Sequence, residues 1–257
     1  MHDLLNVLFL ALIQGLTEFL PVSSSGHLVI AQRLIGVNES GINLEIWLHI
    51  GTLISIVVFY RDVLWRLIRG VLSFEKKSLV FSGYVLISAL PAVLFYGLFS
   101  THVDAIYEST AWAGALLIFT GLVLIAVHRV GSRDGEVTWK RSIFVGIAQA
   151  LAILPGISRS GMTISAARAS GVSSEKAAEF SFIMVIPLLI GAALVNSLKV
   201  PDAGDHLSVW LLAVGTAVSA IVGWAALKIL VKMLRKGRFW LFGVYCAGLG
   251  VLTLVLL

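Results

Sequence analysis

Long apolar runs alternate with short polar segments along the chain, and six of the runs are long enough to cross a lipid bilayer. A helix rises about 1.5 Å per residue and the hydrocarbon core is about 30 Å thick, so one crossing takes about 20 apolar residues. The six runs lie near residues 42–60, 79–99, 111–128, 178–198, 208–230 and 238–257. The pattern therefore predicts six transmembrane helices.

Two further apolar regions, residues 4–30 and 142–170, are interrupted by Pro, Gly, Ser and charged residues. Proline breaks a helix, and irregular backbone is tolerated at membrane depth only where it is buried in protein or lines a cavity. Both regions are therefore predicted to be broken helices inside the protein. Their ionisable residues are candidates for a functional site, because charge in a membrane is costly without a role.

The composition agrees with an all-α polytopic membrane protein that forms a single integral-membrane domain. Of the 257 residues, 58% are hydrophobic and 13% are charged, whereas about 25% of the residues in a soluble domain are charged. The net charge of +5 does not indicate a nucleic-acid partner, because the Lys and Arg residues are concentrated in segments between the predicted crossings.

The distribution of charge also predicts which side each segment faces. Segments 61–78, 129–141 and 228–238 are rich in Lys and Arg, whereas 100–110 and 199–207 are acidic. By the positive-inside rule the basic segments are cytoplasmic. Residues 142–170 must then enter and leave on the cytoplasmic side as a re-entrant hairpin. Residues 4–30 form either a re-entrant hairpin from the outer face or two short crossings.

The two broken regions resemble each other. A shift of 135 residues aligns them with nine identities in the 24 positions 14–37, including the shared S-x-S-G core. The same shift carries the three crossings of the first half onto those of the second. The sequence thus predicts an inverted-topology repeat, with repeat 1 at about 1–130 and repeat 2 at about 136–257, each half being one re-entrant helical hairpin plus three transmembrane helices. In such folds the broken elements meet near the midplane and form the site.

The second hairpin carries an anion-binding pattern in LPGISRSGMT, residues 154–163. After the Pro-Gly break, Ser158, Arg159 and Ser160 open a new helix whose free N–H groups, hydroxyls and guanidinium favour phosphate. The alternative is that Arg159 pairs with Glu18 across the repeat interface. The two states could also alternate, with the pair present when the site is empty.

The first hairpin carries reactive groups. Gln14 and Glu18 are four residues apart on one helix face, where their side chains can point together at a metal ion or a water molecule. Oxygen ligands beside a diphosphate would suit Mg²⁺ or Ca²⁺. The polar residues that follow Pro21 are Ser23, Ser24, Ser25 and His27. A serine near a histidine is the minimum for an activated nucleophile, and histidine itself can attack phosphorus.

These motifs, Q-x-x-x-E followed by PVSSSGH and PGxSRSxxT, resemble the two signature motifs of the undecaprenyl-diphosphate phosphatase family, the bacitracin-resistance proteins. The similarity extends over essentially the whole chain, including EFSFIMVIPLLIGA at 179–192. It implies hydrolysis of undecaprenyl diphosphate to the monophosphate and phosphate at the outer face of the bacterial plasma membrane. It also implies recycling of the lipid carrier for cell-wall polymers, bacitracin tolerance and dependence on a divalent cation.

The resemblance also implies roles for individual residues. Glu18 would bind the metal or order the attacking group, and Ser24 with His27 would supply the nucleophile and the acid or base, in an order that stays open. Gln14 and Ser25 stand where many members have Glu and Thr; Gln14 is the second expected metal ligand. The residues expected to contact the diphosphate are Arg159, Gln14, Ser23, Ser25, Ser158, Ser160 and Thr163.

A transporter or flippase of polyprenyl phosphate lipid is the rival function, because inverted repeats with broken helices are the usual build of carriers. A carrier needs the Arg159 pocket but has no requirement for a nucleophile, so the set of Glu18, Ser24 and His27 favours the enzyme. His49, inside the crossing 42–60, either faces the cavity or bonds a neighbouring carbonyl. The sequence leaves open whether the protein is a monomer or a homodimer.

Overall fold

Eleven helices make up the part of the chain that the structure, a computed structural model, describes: residues 2–35, 42–107, 109–130, 134–197 and 207–257. Within these ranges there is no β-strand, only an isolated bridge between Gly135 and Val172. The helices are α1 (His2–Phe19), α2 (Ser24–Ile35), α3 (Ile42–Phe59), α4 (Arg61–Leu72), α5 (Lys76–Tyr107), α6 (Thr110–His128), α7 (Trp139–Leu151), α8 (Arg159–Ala169), α9 (Ser174–Ser197), α10 (Val209–Arg235) and α11 (Trp240–Leu256).

The distribution of exposed and buried residues is that of a multi-pass membrane protein. Large apolar side chains cover the outside, such as Leu94 and Leu98 of α5, while polar side chains such as Gln14, Thr52 and Ser88 are fully buried. Among the described residues, three helical segments are long and apolar enough to span a bilayer alone, at Lys76–Thr101, Thr110–His128 and Val209–Arg235. The all-α polytopic fold class is therefore confirmed, whereas the number of six crossings stays a prediction.

Two parts of the chain differ from the expected pattern. The basic segment 61–78, expected as a loop, contains α4, which follows α3 after a bend of 79°. Helix α5 continues to Tyr107, through most of the segment expected as an acidic outer loop. A run of apolar residues marks the part of a helix that lies in the hydrocarbon core but not a polar or amphipathic helix beside it. The apolar runs therefore did not predict α4 or the last part of α5.

Some predictions concern residues outside the described ranges. The acidic segment 199–207 lies there apart from its last residue, as do Glu108, Arg133 and the repeat positions Gly36 and Val37. The sidedness of the outer loops accordingly stays a prediction.

Both interrupted regions are pairs of helices separated by a tight break. In the first, α1 ends at Phe19, α2 begins at Ser24, and Ser23 between them has a φ of 68°. In the second, α7 ends at Leu151 and α8 begins at Arg159. Gly156 in that break has a φ of 96°, and a Cβ there would lie 2.4 Å from the carbonyl oxygen of Ala113. Only glycine fits such a position without strain or a clash.

Helix α8 lies at the centre of the molecule and positions the site. Its residues 160–167 are all buried, and it packs on α6, α7 and α9. Helices α6 and α11 pack closely where glycines of the two helices face each other. A Cβ on Gly121 would lie 2.6 Å from the carbonyl oxygen of Gly243, and a Cβ on Gly250 would lie 2.5 Å from the carbonyl oxygen of Gly114. This close approach forms one wall of the bundle around α8.

Candidate active site

The breaks of the two hairpins contact each other directly. The backbone N–H of Gly156 donates to Ser23 Oγ over 3.1 Å, and Ser160 Oγ donates to the Leu20 carbonyl over 3.2 Å. Gly26 lies against Gly156, where an added Cβ would come within 3.0 Å of the Gly156 Cα. Residues that are about 135 positions apart in sequence therefore form one site.

The first serine of each S-x-S-G core caps the helix that follows it. Ser23 Oγ accepts from the Gly26 N–H over 3.2 Å, and Ser158 Oγ accepts from the Gly161 N–H over 3.1 Å. Each of these serines also lies 3.3 Å, Oγ to Oγ, from the second serine of its own core. Capping of this kind satisfies the free N–H groups of the first turn. It fixes Ser24 and Arg159, the residues after the caps, at the first turns of α2 and α8.

Glu18 accepts hydrogen bonds from three other residues of the site. Its buried carboxylate accepts hydrogen bonds from Ser24 Oγ over 2.6 Å and from Gln14 Nε2 over 3.1 Å, both at Oε2. Arg159 Nη2 donates to the other oxygen, Oε1, in a buried ion pair. The pairing of Glu18 with Arg159, one of the two expected states, is thus the one that the structure has.

A cavity of about 180 Å³ opens beside this ion pair. Its polar lining consists of Thr17, Glu18, Ser23, Ser24, Ser25, His49, Tyr107, Ser158 and Arg159. Val185 and Leu189 of α9 form an apolar part of the wall. The cavity therefore combines a carboxylate, a guanidinium and several hydroxyls with a hydrophobic side, which suits a ligand with a charged head and an apolar tail.

Two buried polar atoms of the site have no hydrogen-bond partner among the described residues. They are Arg159 Nη1 and Gln14 Oε1. A buried donor or acceptor without a partner costs about 1–3 kcal/mol, so such an atom needs an explanation. Nη1 belongs to a residue that lines the cavity and is the free half of a fork whose other half holds Glu18, which suits it to bind an anion.

Four of the ten residues predicted from the sequence lie outside the cavity lining: Gln14, His27, Ser160 and Thr163. His27 Nδ1 is 2.8 Å from the Ser23 carbonyl oxygen, its Nε2 is 2.8 Å from the Tyr245 hydroxyl, and the two rings stack. Thr163 Oγ1 lies 2.8 Å from the Arg159 carbonyl and 2.6 Å from Ser181 Oγ. The roles suggested for these four residues stay predictions, and in the structure they support the residues that line the cavity.

Sequence reasoning left His49 undecided and did not single out Tyr107. His49 Nδ1 donates to the Glu45 carbonyl over 2.7 Å, and its Nε2 lies 3.8 Å from Glu18 Oε2. Because a carbonyl can only accept, Nδ1 carries a proton and Nε2 faces the carboxylate. Tyr107 donates its hydroxyl to the Ile153 carbonyl over 3.0 Å and closes the cavity from α5. No local sequence motif marks either residue.

The site has few protein ligands for a metal ion. Among the described residues no three His, Cys, Asp or Glu side chains form a cluster that could hold one. The available oxygen ligands are the Glu18 carboxylate, which lines the cavity, and the unpartnered Gln14 Oε1, which is buried beside Glu18 and outside the cavity lining. Such a pair fits a hard cation such as Mg²⁺, which commonly keeps several waters and is held by one or two protein ligands together with substrate phosphates.

One family of known proteins matches nearly the whole chain. The family model of bacitracin resistance protein BacA matches residues 7–252. The chain belongs to the BacA family. The matched region contains both helix breaks and all of the site residues.

Curated relatives of the chain are similar over nearly their full length. An undecaprenyl-diphosphatase of Desulfatibacillum aliphaticivorans is 41% identical, covering 98% of each chain. One of Halothermothrix orenii is 35% identical over 99% of this chain and 98% of the relative. Undecaprenyl-diphosphatase 1 of Bacillus cereus is 35% identical over 100% of this chain and 98% of the relative. The chain is thus similar to whole proteins of this family and not to a single part of them.

Proposed function

We propose that this membrane protein hydrolyses undecaprenyl diphosphate to undecaprenyl phosphate and phosphate. The observation that carries the proposal is the short contact between Ser24 Oγ and Glu18 in a cavity that is also lined by Arg159, whose buried Nη1 has no partner among the described residues. A nucleophile with an adjacent base, facing a phosphate-binding group, is what attack on a phosphoanhydride requires. The names of the family relatives support the same activity.

The diphosphate would bind with its terminal phosphate against Arg159 and the first turn of α8. The guanidinium can hold phosphate oxygens through Nη1 while Nη2 keeps its contact with Glu18. The N-terminus of α8 adds a favourable dipole. The prenyl chain would leave past Val185 and Leu189 of α9 towards the bilayer.

Ser24 is the nucleophile in this proposal. Its Oγ attacks the terminal phosphorus while the proton passes to Glu18, and the bond from that phosphorus to the bridging oxygen breaks with its electron pair on the oxygen. Undecaprenyl phosphate departs and takes the proton from Glu18. A water molecule then attacks the phosphorus of the phosphoserine and gives its proton to Glu18. The bond from phosphorus to Ser24 Oγ breaks with its electron pair on Oγ, which takes that proton from Glu18, and inorganic phosphate leaves. Ser24 is favoured over His27 for this step because His27 does not line the cavity and both of its ring nitrogens already have partners, the Ser23 carbonyl and the Tyr245 hydroxyl.

The two histidines receive different roles. His27 holds the Ser23 carbonyl and thereby positions the turn that carries Ser24. His49, when protonated, would present Nε2 as a second positive donor beside Glu18, within reach of a bound phosphate. A divalent cation, Mg²⁺ or Ca²⁺, would be held by Glu18, by Gln14 and by the diphosphate, where it would neutralise charge that builds up on the phosphate oxygens.

The inverted-topology repeat belongs to the same proposal. Helix α1 packs on α10 and α7 packs on α5, so the first helix of each hairpin packs on the second crossing of the other half. Helices α6 and α11, which are equivalent in the repeat, pack on each other. This reciprocal packing is what a two-fold relation between the halves would produce. The matching serine caps of α2 and α8 also support that relation.

We assign the cavity to the outer face of the bacterial plasma membrane. The basic residues of α4 and of the end of α10 favour the cytoplasmic side for those segments. Helix α5 begins at the basic Lys76 and Lys77, and Tyr107 at its opposite end lines the cavity. The cavity would therefore open outward, where the carrier lipid is released after polymer synthesis. Recycling of that carrier and bacitracin tolerance follow from the proposed activity.

The test is phosphate release from undecaprenyl diphosphate by the purified, detergent-solubilised chain, with Mg²⁺ or with EDTA. Ser24→Ala is expected to abolish release. Ser170→Ala, which removes a hydroxyl bonded within the end of α8, is expected to keep it. A well-folded wild-type protein that released no phosphate but moved the lipid across proteoliposomes would be a carrier and would overturn the proposal.

The nucleophile is identified by rapid quench with substrate labelled on its terminal phosphate. We expect an acid-stable label on the protein, located at Ser24 by peptide mass spectrometry, and we expect His27→Ala to slow its appearance without moving it. An acid-labile label at His27 would contradict the assignment.

A further inference from the structure

A basic groove lies at the end of α10, remote from the cavity of the active site. It has a volume of about 400 Å³ and is lined by Phe59, Lys228, Val231, Lys232, Arg235 and Lys236. None of these residues lines the active-site cavity. The groove thus combines four cationic side chains with an apolar wall of Phe59 and Val231.

Three of these cations are lysines spaced four residues apart, Lys228, Lys232 and Lys236, so they follow one face of α10. Within the ranges that the structure describes, no carboxylate forms an ion pair with any of them. Arg235 differs, because its Nε lies 2.8 Å from Glu175 Oε1. The face therefore carries three positive charges that no neighbouring acid neutralises.

Helix-end electrostatics account for only part of this charge. Cations in the last turn of a helix are favoured by the helix dipole, and Lys232 lies there. Lys228 lies about two turns from the end of α10, beyond the reach of that effect. Its Nζ lies 3.3 Å from the centroid of the Trp224 ring. This contact keeps the ammonium group at the groove, so that the side chain does not extend into solvent.

The neighbouring helix α4 indicates that the groove lies at the level of the lipid head groups. It turns 79° away from α3 directly after Phe59 and exposes Trp65, Ile68 and Leu72 on one face. Arg69 stacks over Trp65 at 4.6 Å. A basic amphipathic helix with exposed Trp and aliphatic residues is typical of one lying in the plane of the membrane interface.

We propose that this groove binds the phosphate head group of an anionic phospholipid in the leaflet beside α4, with its acyl chains against Phe59 and Val231. Basic pockets between membrane helices on the cytoplasmic side are suited to such head groups. The three lysines would surround the phosphodiester, and the apolar wall would distinguish a lipid from a free phosphate. The proposal is independent of the phosphatase activity.

The test is native mass spectrometry of the purified full-length chain with short-chain phosphatidylglycerol, with phosphatidylcholine of the same chains, and with glycerol 3-phosphate. The variant is the triple change Lys228→Gln, Lys232→Gln and Lys236→Gln. Its matched control removes the same charge from other basic segments, with Lys76→Gln, Lys77→Gln and Lys140→Gln. Phosphate release from the lipid diphosphate is measured in parallel and is expected to stay at the wild-type level in both.

We expect wild type to retain phosphatidylglycerol over phosphatidylcholine, and the groove variant to lose this preference by about fivefold for each lysine removed. The control variant is expected to keep it. Equal loss in the control would show a diffuse surface charge with no site. Equal binding of both lipids by the wild type, or binding of glycerol 3-phosphate as strong as that of the lipid, would also overturn the proposal.

Discussion

Replacement of Arg159 by Lys tests the central contact of the proposed site. In the structure Nη2 of Arg159 is committed to Glu18 while Nη1 is buried and has no partner among the described residues. A lysine presents one ammonium in place of a planar fork, so it can hold either the carboxylate or the phosphate with good geometry, but not both. Arg159→Lys keeps the charge of the site and removes one of these two contacts.

The loss can be estimated from the contact that is removed. A hydrogen bond to a charged group contributes about 1.5–3 kcal/mol. If this contact is made to the phosphate in the transition state, its loss lowers kcat/KM by about 10- to 150-fold. Thermal stability should change little, because the lysine can still neutralise the buried Glu18.

The assay is kcat/KM for phosphate release, with the thermal unfolding midpoint measured on the same preparations. Arg168→Lys is the matched control, since it makes the same change on the same helix at a guanidinium that lies over Phe239, outside the cavity. We expect the control to retain wild-type kcat/KM. Wild-type kcat/KM in Arg159→Lys would refute the idea that one guanidinium contacts Glu18 and the phosphate at the same time. An equal loss in both variants would show that the effect is not specific to the site.

Two further substitutions test other parts of the structure. His49→Leu should lower kcat/KM about tenfold because it removes the polar ring nitrogen beside Glu18. His49→Gln, which keeps a polar side chain there, should stay within about threefold of wild type; equal activities for the two would argue against the contact. Gly121→Leu should destabilise the protein by about 1–3 kcal/mol or more, seen as a lower unfolding midpoint in detergent, because even its Cβ would lie 2.6 Å from the Gly243 oxygen. Gly97→Leu is its control, since nothing lies within 4 Å of a Cβ there, and a similar loss in both would remove the packing explanation.

The parts of the site that the sequence could predict are those with local signals. Pro21 and the Pro155-Gly156 pair mark where the helices break, and the structure breaks them there. Charge at membrane depth has to find a partner, so the pairing of Glu18 with Arg159 is one of the states that the sequence leaves open, beside phosphate binding by Arg159. The sequence does not decide between them, because the outcome depends on where the two side chains point across the interface between the repeats.

The two histidines show what the sequence could not supply. His27 stands in the motif and His49 stands outside it, yet His49 lines the cavity and His27 does not. Which face of a helix meets a cavity depends on how the helix is rotated against its neighbours, and that rotation is set by packing between distant segments. Here it is set for His27 by Tyr245, a residue of α11 that is 218 positions away.

The buried ion pair also explains why both hairpins are needed for one site. Arg159 has no carboxylate partner from its own half among the described residues, and within its own half Glu18 has only the His49 ring, 3.8 Å from its Oε2. Removing one partner would leave a buried charge unpaired, at a cost of about 3–5 kcal/mol. The two hairpins therefore gain stability only when they dock together, and the same docking brings Ser24 next to Glu18 and leaves the second arm of Arg159 free for phosphate. Assembly of the fold and assembly of the proposed active site are in this way one event.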